Sequence, residues 1–203
     1  MTSWQELRDD AASCTRCDLY QRATRTVFGE GPTGAFMALI GEQPGDQEDK
    51  HGHPFVGPAG RILDRALDDA GVNRDDVYVT NAVKHFKWTE RGKRRIHQRP
   101  NGSEIRACRF WLDGELGTVR PRLVVLLGAV AGEAMFGSRY RVGEHKGKVE
   151  EASLGSWNGL VVGTIHPSAV LRGPDQEDRD RAYAGLVADL MVAREAGAEQ
   201  AAR

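Results

Sequence analysis

The chain has 203 residues, 40% of them hydrophobic and 28% charged, with a formal net charge of −1. That length predicts one domain, residues 1–203, and the composition suits a single sizeable core and excludes a disordered chain. No apolar run approaches the ~18 residues of a membrane helix, and the start MTSWQELRDD has no apolar signal core, so the expectation is a cytoplasmic protein without membrane contact.

Chemistry begins at Cys14-x-x-Cys17. Three cysteines, Cys108 being the third, are too few and too odd for a disulfide scaffold. In a reducing compartment the pair reads as metal-binding or redox-active. The first apolar segment, 36–40, predicts a strand buried on both faces. It runs into Gly41-Glu-Gln-Pro-Gly-Asp-Gln-Glu-Asp49. Gly41 and Gly45 permit a tight turn and close approach of backbone to a ligand. Glu42 and Asp46 offer a base or an electrostatic partner, although an ordinary acidic loop has the same composition. The run lacks the Gly-Lys-Ser/Thr ending of a P-loop. In the next segment, His53-Pro-Phe-Val-Gly-Pro-Ala-Gly60, Phe55 stands outside any core periodicity. It either stacks on a planar ligand or packs under its own loop.

Residues 61–70 have helical periodicity, with Ile62, Leu63, Ala66, Leu67 and Ala70 on one face and Gly71 as a C-cap. A second strand, 77–83, delivers Asn81-Ala-Val-Lys84. From Lys84 to Arg109 the charge balance is +7, which leaves −8 for the rest. The centre of this stretch is Lys93-Arg94-Arg95-Ile96-His97-Gln98-Arg99, with Phe86 and Trp88 nearby. Such concentration favours phosphate contact, hence nucleic acid, over a merely solvated face. His97, among cations, is expected as neutral imidazole, competent as base or nucleophile.

Residues 103–119 predict a helix with Ile105, Cys108, Leu112 and Leu116 inward, ended by Pro121. Cys108 is then a third thiolate or simply a buried thiol. His85, at a strand end, is the candidate fourth ligand, and three Cys with one His suit zinc or an iron–sulfur cluster. A third strand, 123–127, ends at Gly128, and a short helix follows over 129–136. A fourth strand, 160–165, delivers His166-Pro-Ser168. His166 either donates to a developing anion or caps the turn. A helix over 178–194 turns Tyr183, Leu186, Val187 and Leu190 inward, and Glu195 to Arg203 read as an expendable tail. Strands alternating with helices predict a three-layer αβα architecture around a four-stranded parallel sheet. Three of the four strand ends carry polar or ionisable residues, so one cleft is expected there.

Together, Cys14-x-x-Cys17, the run GEQPGDQEDKHGHPFVGPAG, Asn81-Ala-Val-Lys84, Cys108, Leu126-Leu-Gly128 and His166-Pro-Ser168 resemble the iron–sulfur family 4 branch of the uracil-DNA glycosylase superfamily. The resemblance spans nearly the whole chain. His85 stands where the family pattern has a cysteine, and the segment between His85 and Cys108 is longer than usual. Both departures, and Glu42-Gln43, match the subclass known as UdgX. The resemblance implies a uracil-DNA glycosylase-like fold and a 4Fe–4S cluster on Cys14, Cys17, His85 and Cys108. It implies cleavage of the N1–C1′ bond of deoxyuridine in DNA, with free uracil as product; a single-stranded substrate and a monomeric protein are the accompanying expectations. Uracil binding falls to Gln43, Asp46, Glu48, Phe55 and Asn81. Phe55 stacks, Asn81 reads the polar edge, and Glu48 walls off C5. His166 stabilises charge on O2. Lys93, Arg94, Arg95, Arg99 and Ser168 contact the DNA backbone. His97 attacks C1′ with Glu42 as its partner, giving a covalent protein–DNA product. The alternatives are a conventional turnover glycosylase and a non-catalytic iron–sulfur lesion sensor.

Overall fold

The computed structural model describes residues 3–201. Helix α1 (Trp4–Ala12) starts at Ser3, whose hydroxyl accepts from the Glu6 amide while the Glu6 carboxylate accepts from the Ser3 amide, a reciprocal cap that satisfies two otherwise free donors. Strand β1 (Met37–Gly41), α2 (Asp46–His51) and α3 (Pro58–Asp69) follow. Next come β2 (Val77–Asn81), the pair β3 (Trp88–Arg91) and β4 (Arg94–His97), and α4 (Gly102–Val119). The remainder is β5 (Leu123–Leu127), α5 (Ala129–Phe136), α6 (Val142–His145), β6 (Val149–Leu154), β7 (Trp157–Thr164), α7 (Ser168–Leu171) and α8 (Gln176–Ala201).

The main sheet has the order β2-β1-β5-β7-β6. Its four parallel strands are those the apolar runs predict, with Met37 opposite both Val77 and Leu123, and Val125 opposite Val162. Every residue of β1, β2 and β5 is buried, which is why those runs are continuous rather than alternating. The expected count of four is corrected by a fifth strand, β6, antiparallel to β7 at the edge. Its sequence, Val-Glu-Glu-Ala-Ser-Leu, buries only Leu154, so it offers no apolar run to read.

Successive strand residues face opposite ways. Ala38, Ile40, Val124 and Leu126 pack with Leu7 of α1, Leu112 and Leu116 of α4, and Val130 of α5. Met37, Leu39, Val79 and Val125 pack with Leu63 and Leu67 of α3 and with Leu186 and Leu190 of α8. These two cores define the three layers. Helix α8 does not stop at Arg194, because Ala196 packs on the second core and Gly197 lies against the Phe36 ring. The supposed tail is therefore helical through Ala201, and residues 202–203 lie outside the described residues. Among the described residues, no helix is long and apolar enough to cross a membrane.

Candidate active site

The carboxyl ends of β1, β2 and β7 open into a cleft of about 690 Å³, lined by Glu42, Phe55, Asn81, His97, His166 and Arg172. That volume suits a nucleoside-sized ligand. Gln43, Asp46, Glu48 and Ser168 also reach it. Asn81 ends β2 and is buried, and its side-chain amide has no hydrogen-bond partner among the described residues. A Cβ at Gly41 would stand 2.3 Å from Asn81 Oδ1, so glycine at the end of β1 makes room for that amide.

Phe55 adopts φ 59°, a left-handed conformation that costs a non-glycine residue roughly 1–3 kcal/mol. Its ring lies 6.0 Å from the His166 ring at 29°. The loop can pack this closely only on a glycine, because a Cβ at Gly60 would come within 1.7 Å of the Phe55 carbonyl. Glu48 Oε1 accepts from the Gly57 amide at 2.9 Å. Glu48 thus braces the Phe55 loop with the carboxylate expected to wall off C5.

His166 is oriented from behind. Its Nδ1 lies 3.2 Å from the Ser168 amide and 2.8 Å from Ser168 Oγ. An amide can only donate, so Nδ1 is the acceptor and the neutral ring carries its proton on Nε2. Burial, with Arg172 and His97 adding to it, pushes the His166 pKa down to about 4, so the ring is a neutral donor at physiological pH. Ser168 positions that ring.

His97 enters from the end of β4. Its Nε2 is 3.4 Å from Glu42 Oε1, and that oxygen is buried without a hydrogen bond. The separation exceeds a good hydrogen bond, so the pair is poised rather than closed. Burial raises the Glu42 pKa, partly offset by Arg99 and Arg172. Burial lowers the His97 pKa, and Arg172 lowers it further. Arg172 acts on all three groups and was not foreseen. The only sequence signal was an arginine four residues after Ser168.

Strands β3 and β4 form a hairpin, Trp88 opposite His97, with a two-residue turn in which Gly92 has φ 60°. Two strands alone are marginally stable, so what fastens them matters. The Gln43 amide donates to the Lys87 and Gln98 carbonyls and accepts from the Lys87 amide, all at 3.1 Å. Arg95 binds Asp46 Oδ1 and Asp49 Oδ2, each at 2.6 Å, and Thr24 Oγ1 at 3.2 Å. The Trp88 indole donates to the Arg22 carbonyl at 3.0 Å. Three side chains expected at the ligand are thereby engaged within the fold. The Gln43 amide holds the hairpin. Arg95 clamps it. Asp46 is tied to Lys50 and Arg95; burial alone would raise its pKa, but these hydrogen bonds bring it below its ordinary value. Lys93 and Arg94 are exposed and have no ion-pair partner among the described residues. Arg99, also exposed, binds Glu133 at 2.9 Å.

On the opposite side of β2, Cys14, Cys17 and Cys108 gather in the first core. Cys14 Sγ accepts from the Trp111 indole at 3.0 Å and Cys108 Sγ from the Lys84 amide at 3.1 Å. His85 is buried next to Lys84, and its Nδ1 has no partner. Burial pushes the Cys108 thiol up to about 12, so it keeps its proton unless a cation displaces it. Among the described residues no three His, Cys, Asp or Glu side chains are arranged to hold one metal ion. In kind, the donors would suit an iron–sulfur cluster: soft sulfurs, an orphaned ring nitrogen and N–H groups aimed at sulfur.

A profile of the Uracil DNA glycosylase superfamily matches residues 28–190. The chain is 35% identical to a Type-4 uracil-DNA glycosylase of Pyrobaculum aerophilum, covering 84% of this chain and 85% of that one. It is 34% identical to that of Archaeoglobus fulgidus, covering 86% of each. With the Thermotoga maritima protein of the same name it shares 34% identity over 82% of each.

Proposed function

The chain belongs to the uracil-DNA glycosylase superfamily, and from that premise we propose that it cleaves the N-glycosidic bond of deoxyuridine in DNA and is then captured on the sugar through His97. One observation carries the reading: two neutral histidines of opposite duty face one cleft. His166 presents an N–H, and His97 presents a ring nitrogen beside a carboxylate.

The target nucleotide leaves the stack, or starts in a single strand. Phe55 packs on the uracil ring, and the unpaired Asn81 amide matches its donor and acceptor edge. As the N1–C1′ bond breaks, the electron pair leaves with uracil. The His166 Nε2–H stabilises the charge on O2, a contribution of ~3 kcal/mol for one well-placed donor. Uracil is released and the sugar is left oxocarbenium-like. One His97 ring nitrogen bonds to C1′, and the other yields its proton to Glu42, whose raised pKa suits it as acceptor. Tethering gives His97 an effective concentration that free water-borne nucleophiles do not reach. The product is a neutral N-alkyl imidazole, a poor leaving group, so one protein molecule performs one turnover.

Cys14, Cys17, His85 and Cys108 would hold a 4Fe–4S cluster. Its contribution there would be a covalent staple between the N-terminal segment, the β2 exit and α4.

The test is a labelled single-stranded oligonucleotide with one uracil, mixed with the protein, boiled in detergent and run on a denaturing gel. A band shifted by the mass of the protein, absent when thymine replaces uracil, is expected. An alkali-labile abasic site with no shifted band would leave a turnover glycosylase. With neither product the reading fails.

A further inference from the structure

His85 meets two environments. Its Nδ1 is buried without a partner, and its Nε2 lies 3.0 Å from Thr26 Oγ1. The main chain already fixes where the residue sits, since the Val27 amide donates to the Lys84 carbonyl at 2.9 Å and the Lys84 amide to Cys108 Sγ at 3.1 Å. What those bonds leave free is rotation of the imidazole and the choice of which nitrogen carries the proton. Among the described residues, Thr26 is the one side chain hydrogen-bonded to that ring.

The other side of Thr26 leaves room for one direction of this bond. The residue lines a second cleft of about 430 Å³, together with Arg8, Arg25, Phe28, Glu30 and His53. The hydroxyl hydrogen can point into that cleft, which leaves an oxygen lone pair for the ring. Thr26 then accepts from Nε2–H, and Nδ1 turns its lone pair to the interior where the cysteines gather. A hydrogen-bonded neighbour that sets the tautomer of a histidine ligand commonly governs metal affinity.

We propose that Thr26 is the positioning residue of the His85 ligand: by accepting from Nε2 it presents Nδ1 to the iron. The inference rests on the reading that His85 and the three cysteines hold a 4Fe–4S cluster. It concerns the retention and electronic structure of that cluster, which can be measured without DNA.

Two measurements on anaerobically purified full-length protein test it. In the first, wild type, Thr26→Val and Thr26→Ser are compared for iron and sulfide content and for bleaching of the visible absorbance by a chelator. Thr26→Val removes the acceptor at nearly constant volume, and loss of the cluster about 10–100-fold faster is expected. Thr26→Ser keeps the hydroxyl and should behave as wild type. The second needs no variant: pulsed electron paramagnetic resonance of the dithionite-reduced wild type, with histidine isotopically labelled at Nδ1 or at Nε2. Strong coupling is expected at Nδ1. Coupling at Nε2, or equal cluster lifetimes in wild type and Thr26→Val, would overturn the role of Thr26 and leave the cluster standing. Wild type without iron and sulfide would overturn the cluster, and this inference with it.

Discussion

The strand-end cleft and the β3–β4 hairpin carry the two halves of the proposed reaction and are built in opposite ways. Asn81 and His166 extend from buried parallel strands with apolar layers on both faces, so the groups proposed for excision are part of the domain core. His97 sits at the end of a mostly exposed two-stranded ribbon held by polar contacts from Gln43, Arg95 and Trp88. The lesson is that bond cleavage can survive changes that ruin capture, while the reverse cannot hold, because capture needs the cation that cleavage makes.

The largest expected effect is His97→Ser, which should abolish the protein–DNA band and leave uracil release intact, as read on one gel for both products. Loss of release as well would merge the two regions into one machine. Next is His166→Ala, which should slow release by roughly a hundred- to a thousandfold, with capture falling in step in a single-turnover time course. A smaller loss, about 10²-fold in the capture rate alone, is expected for Arg95→Ala, because freeing the ribbon misplaces the nucleophile by an ångström or so. If release falls equally, the hairpin shapes the cleft too.

A subtler split is in pH. Burial and Arg172 hold His97 below its ordinary value of 6.5, so the neutral, reactive ring persists into acid and the capture rate should decline only below that pH. Arg172→Gln removes one depressing charge, raises the His97 pKa and should move the acid limb upward. The same substitution also raises the His166 pKa, but from about 4, so the acid limb of release should stay below that of capture. The smallest effect is expected from replacing Lys93 and Arg94 with glutamine. Binding should weaken alike for all sequences, and the salt dependence should lose a slope of about two.

Much of the domain was legible because burial writes itself into runs of Val, Leu and Ile. Strand β5 was readable to the residue, while β6 escaped, since an edge strand needs polar side chains on its open face. The hairpin escaped for a related reason: its alternation of Thr, Glu, Arg and Ile reads as a charged loop unless Gly92 is taken as a turn residue. The site residues were named by pattern, but pattern does not say what a polar group is already bonded to. Gln43, Asp46 and Arg95 look equally available in the chain and are all engaged in the fold.

Phe55 shows what this costs to maintain. Its backbone conformation suits glycine or asparagine better, and the close approach of its carbonyl to residue 60 requires a glycine there. A library of variants at position 55, sorted only for heat resistance, should enrich residues content with that backbone and so discard the ring proposed to hold uracil. Sorted instead for survival on uracil-laden DNA, the same library should return aromatics and a less heat-resistant protein. The loop is thus a place where two selections on one codon pull apart.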